Sequence, residues 1–106
     1  MNAKDLLDLV RKITDNEPRV RERGADEATD WVSTYSAAEA GATATVLAVT
    51  AAAETDHAAL EAQLHAILEI MSSGHVQGSH ISQIRDIDLQ GLPNQIREYI
   101  SDLLEE

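Results

Sequence analysis

The chain has 106 residues, no cysteine and a formal net charge of -11. That length suits one domain with a modest core, and the missing cysteines exclude disulfides, thiolate metal sites and a cysteine nucleophile. So large an excess of acids repels nucleic acid and anionic lipid, which makes both poor partners.

The first helix is predicted from the face that Leu6, Val10 and Ile13 share, with Leu7 and Leu9 beside it. Asp8 stands three and four residues before Arg11 and Lys12, spacings that support a helix. The segment Asp15-Asn16-Glu17-Pro18 breaks the pattern, and proline suits the first turn of a new helix. A second helix is expected from Pro18 to about Tyr35, burying Val20, Gly24, Ala28, Trp31 and Tyr35. Glycine inside a helix costs about 1 kcal/mol against alanine, so Gly24 implies a close helix crossing. Ser36 and Glu39 form a capping box for a third helix, Ala37 to Ala53.

Thr55 or Asp56 can cap a fourth helix, with Leu60, Leu64, Ile67, Leu68 and Met71 inward and Gly74 as its stop. No Gly or Pro separates the third and fourth helices, so one long helix is an alternative. The break at Glu54-Thr55-Asp56-His57 in the apolar stripe favours two. Ser72 to Ser79 reads as loop. A short fifth helix, capped by Ser79, carries Ile81, Ile84, Ile87 and Leu89. Gly91-Leu92-Pro93 ends it. Pro93 opens a last helix with Ile96, Tyr99, Ile100, Leu103 and Leu104 inward.

Hydrophobic residues make up 43% of the chain, as in a globular domain. Sixteen alanines supply much of that share, and small side chains let helices approach closely. The first twenty residues lack the pattern of a secretion signal. No apolar run reaches the roughly 18 residues that span a bilayer. The expected location is cytoplasmic, without a membrane segment.

Charge is unevenly spread. Between Arg23 and Arg85 no lysine or arginine occurs, while eight acids do. Acidity as a solubility device accounts for the total, but ordinary surfaces intersperse both signs. The expectation is an acidic surface that meets a basic protein.

The three helical pairs are alike. Shifted by forty positions, Leu6 falls on Val46, Val20 on Leu60 and Ala28 on Leu68. Shifted by thirty-six, Leu60 falls on Ile96 and Leu64 on Ile100. A period near forty with two helices per unit suits a helical solenoid. The stretch LLDLVRKITDNEPRVRERGADEA, residues 6 to 28, resembles a HEAT repeat, with Asp15, Pro18, Val20, Arg21 and Ala25 at the family's places. The second unit has Leu60-Glu61 in place of Val-Arg, and the third keeps only apolar spacing. The resemblance implies an all-α fold of about six helices, three antiparallel pairs in a short right-handed solenoid. The tail ISQIRDIDLQGLPNQIREYISDLLEE resembles the end of small helical immunity proteins, which accompany bacterial toxins.

Catalytic chemistry is poorly represented. His57, Glu61 and His65 line one side of the fourth helix, but two turns separate the histidines by about 12 Å, so they read as a solvated face. Asp86, Asp88, Gln90 and Gly91 imitate the start of an EF-hand loop, yet Arg97 stands where the bidentate glutamate belongs. There is no Gly-x-Ser-x-Gly elbow and no phosphate-cradling glycine loop. The expectation is therefore a protein that is not an enzyme and uses no metal or cofactor.

In a two-helix solenoid the second helices line the concave face. Their residues outside the core are Asp26, Glu27 and Asp30, then Glu61, His65 and Glu69, then Glu98 and Asp102. Tyr35 and Tyr99 are the open aromatic candidates, while Trp31 lies on the buried stripe. These ten, Trp31 excluded, form the expected partner-binding set. The partner would be a cationic cognate toxin, such as a nuclease whose site expects phosphates. The alternative function is a small adaptor that scaffolds a complex through its Ala-rich face.

Overall fold

Helix starts in this chain fall where a side chain or carbonyl can take an exposed backbone N–H. A computed structural model describes residues 1–105 as five α-helices and two 3-10 segments. Helix α1 spans Ala3–Ile13 and α2 Pro18–Asp30, followed by a 3-10 turn at Val32–Thr34. Helix α3 spans Ala37–Ala53, α4 His57–Met71, a longer 3-10 segment Gly78–Asp86, and α5 Asn94–Glu105. No strand occurs among the described residues.

Asn2 caps α1 by accepting from the Asp5 N–H at 2.8 Å. The capping box at α3 is formed: Ser36 accepts from Glu39 N at 3.2 Å, and Glu39 accepts from Ser36 N at 2.8 Å. Asp56 caps α4 through Ala59 N at 2.9 Å, so α3 and α4 are separate helices. Gly74, just beyond α4, has a φ of +83°, a conformation that favours glycine.

Two elements depart from expectation. Helix α2 ends at Asp30 rather than Tyr35, and the chain turns through Val32–Thr34. The fifth element is 3-10 rather than α, with a kink at Ile81. Its own spacing is compatible with that geometry. Ile81, Ile84 and Ile87 recur every three residues, and a 3-10 helix stacks i and i+3 on one side. Ile81 and Ile84 are buried there, while Leu89 is exposed.

The core runs along α3 and α4. Ala40, Ala44, Leu47, Ala48 and Ala51 are buried on α3, and Leu60, Leu64, Ala66, Ile67 and Ile70 on α4. Fully burying a leucine or isoleucine side chain contributes about 1.5–3 kcal/mol. Alanine contributes less by area but shortens the distance between helices. Gly24 shows the limiting case. A Cβ there would lie 2.7 Å from Ile13 N and 2.8 Å from the Lys12 carbonyl carbon, so α1 and α2 cross at that point with no room for one methyl.

Helix α2 packs on α1 and α4, α3 on α4 and the long 3-10 segment, and α5 on α4 and that segment. The molecule measures 39 × 30 × 18 Å. Its shortest dimension matches two helices of about 10 Å diameter stacked. Leu7 and Leu104, expected beside or within the apolar face, point outward instead. On α5 the buried stripe is Ile96, Ile100 and Leu103, spaced four and three, which leaves Leu104 about 70° off the centre of that face.

A candidate acidic docking cleft

Helices α2, α4 and α5 meet around a cleft of about 390 Å³. Glu22 and Asp26 come from α2, one turn apart. Ala58, Glu61, Ala62 and His65 come from α4, and Tyr99 from α5. The alanines leave the space open, because a longer side chain at either place would fill it. Among the described residues no lysine or arginine lines it.

The rim has a defined geometry. The Tyr99 and His65 rings meet edge to face, with centroids 6.0 Å apart and planes at 72°. The Tyr99 hydroxyl stands 3.5 Å from His65 Nδ1. Arg19 donates to Glu22 and to Asp56, which joins the start of α2 to the cap of α4. Asp26 and Glu61 are exposed, and neither takes part in an ion pair among the described residues. The cleft therefore presents two free carboxylates, a partly neutralised third and an aromatic wall.

Four of the ten residues expected to bind a partner line this cleft: Asp26, Glu61, His65 and Tyr99. Glu27 does not. Both of its oxygens accept from Lys12 Nζ at 2.9 Å, tying α2 back to α1. Asp30, Glu98 and Asp102 are exposed outside the lining. Glu69 borders a smaller depression, of about 170 Å³, with Leu68, Met71 and Ser72.

Tyr35 requires a correction. Expected to be open, it is 7% exposed, and its hydroxyl donates to the Ala28 carbonyl at 2.8 Å. The early end of α2 causes this: the 3-10 turn swings Tyr35 back under the helix it was expected to extend. Burial pushes its phenol up to about 12.

Glu22 was not among the expected binding residues. Its signal was present in the one-turn spacing to Asp26, on a helix whose acidic face begins earlier than Asp26.

A partly buried polar knot joins α2 to the turn between α3 and α4. The Arg21 guanidinium donates to both Glu54 oxygens at 2.7 Å, and to the carbonyls of Asp15 and Asn16 at 2.9 Å. Gln63 Nε2 donates to Glu54 at 2.7 Å, and the Thr55 and Asp56 N–H groups donate at 3.1 Å. The Glu54 side chain is fully buried. Burial alone would raise its pKa, but the bonds from Arg21, Gln63 and Asp56 outweigh that and hold it at about 2. At Asp56, the Ala59 N–H and Arg19 together hold the carboxyl below its ordinary value against partial burial.

Among the described residues no group of three His, Asp or Glu side chains is placed to hold a metal ion, and no helix is long and apolar enough to cross a membrane. The fold and cleft define an all-helical protein with an acidic groove. Comparison with family models, curated proteins and solved structures returned no match.

Proposed function

We propose that this chain is a non-catalytic protein-binding module, an immunity protein that neutralises a basic cognate toxin through the acidic cleft between α2, α4 and α5. The observation that carries the reading is the pair of unpaired carboxylates, Asp26 and Glu61, in a concave site with no cation among the described lining residues. Carboxylates in a groove of single sign attract a cationic surface and speed its encounter. Tyr99, half-buried at the wall, supplies an amphipathic anchor of the kind that dominates binding energy at interfaces.

The packing order supports a short HEAT-like solenoid as the scaffold. Helix α2 packs on α4 and α4 on α5, while α1 packs on α3 and α3 on the long 3-10 segment, the contacts such a scaffold would need. The Arg21 side chain reaches from the first pair to the turn of the second. The adaptor reading draws less support. Six of the thirteen alanines of α3 and α4 that would form its contact face, Ala40, Ala44, Ala48, Ala51, Ala59 and Ala66, are buried.

The experiment is co-purification with the product of the adjacent gene, followed by stopped-flow association at about 50 mM and about 500 mM salt, where screening lengths differ several-fold. Steeply slower association at high salt supports the reading. A rate independent of salt overturns it.

A further inference from the structure

We draw no further inference here: the strongest candidate, the cleft that Thr14, Arg21, Val49 and Glu54 line beside the α1–α2 turn, has its charged groups already satisfied by Asp15, Asn16 and Gln63, and nothing in the structure shows what covers it.

Discussion

Arg21 and Glu54, thirty-three positions apart, form a two-pronged ion pair with both bonds at 2.7 Å. It ties the turn after α1 to the turn after α3, and Gln63 closes it from α4. Removing one partner of such a pair strands a buried charge, which costs about 3–5 kcal/mol. Arg21→Met should therefore lower the unfolding free energy by about that amount, read by urea denaturation at neutral pH. A loss below about 0.5 kcal/mol, the scale of an ordinary surface substitution, would show that the pair is dispensable.

The same pair sets an acid limit. The Glu54 carboxyl titrates near 2 in the fold against an ordinary value of 4.5. A depressed carboxylate contributes stability above its unfolded value and loses that contribution as pH falls toward the folded one. The shift corresponds to about 3 kcal/mol at most. Urea midpoints should fall between pH 4.5 and pH 2, and Glu54→Gln should flatten that part of the profile.

Gly24 marks the α1–α2 crossing. Alanine would gain about 1 kcal/mol of helix propensity, yet its Cβ would meet backbone atoms of Lys12 and Ile13 that cannot rotate away. Overpacking of this kind costs about 1–3 kcal/mol. Gly24→Ala should lower the thermal midpoint. A raised midpoint would show that the helices separate freely.

Tyr35 serves the fold. Tyr35→Phe removes the bond to Ala28 and leaves that buried carbonyl without its partner, a loss of about 1–3 kcal/mol. Partner affinity should not change. Because the folded phenol is raised from 10 to about 12, its contribution is complete below pH 10 and fades as pH rises through 12. Phenolate absorbance of the folded protein should show Tyr35 titrating above the ordinary phenol range.

Asp26 and Glu61 are the surface pair on which the proposed function rests. Asp26→Asn with Glu61→Gln should slow association with the cognate partner by roughly tenfold at low salt, and by much less at high salt. Both side chains are exposed, so thermal stability should hold. Asp30→Asn, outside the cleft lining, should have a smaller effect. Equal slowing by all three substitutions would place recognition in the overall charge rather than in the cleft.

Much of the architecture was legible along the chain. Caps are local chemistry, so Ser36 with Glu39, and Asp56 before α4, marked helix starts without any knowledge of the fold. Gly24 announced a close crossing because no local benefit explains a glycine there. The 3-10 character of Gly78–Asp86 was also present, in isoleucines spaced by three, although so short an apolar run resembles an α-helix equally well.

The candidate site was half legible. A helix face can be read from spacing, which placed Asp26, Glu61 and His65 outward and put Tyr99 within reach of the same side. Spacing could not show that Lys12 neutralises Glu27, because the two lie fifteen positions apart on different helices. Nor could it show the fate of Tyr35, which depends on where α2 stops.

Local periodicity and end chemistry thus settled the helical class, most helix starts and the sign of the surface, since each depends on composition or on residues within about one turn. Which carboxylates stay free and which are consumed was left to helix packing. Arg19 with Asp56 and Arg21 with Glu54 pair across more than thirty positions. Those pairings exist because folding brings distant turns within a few ångströms, a proximity that no short-range pattern encodes.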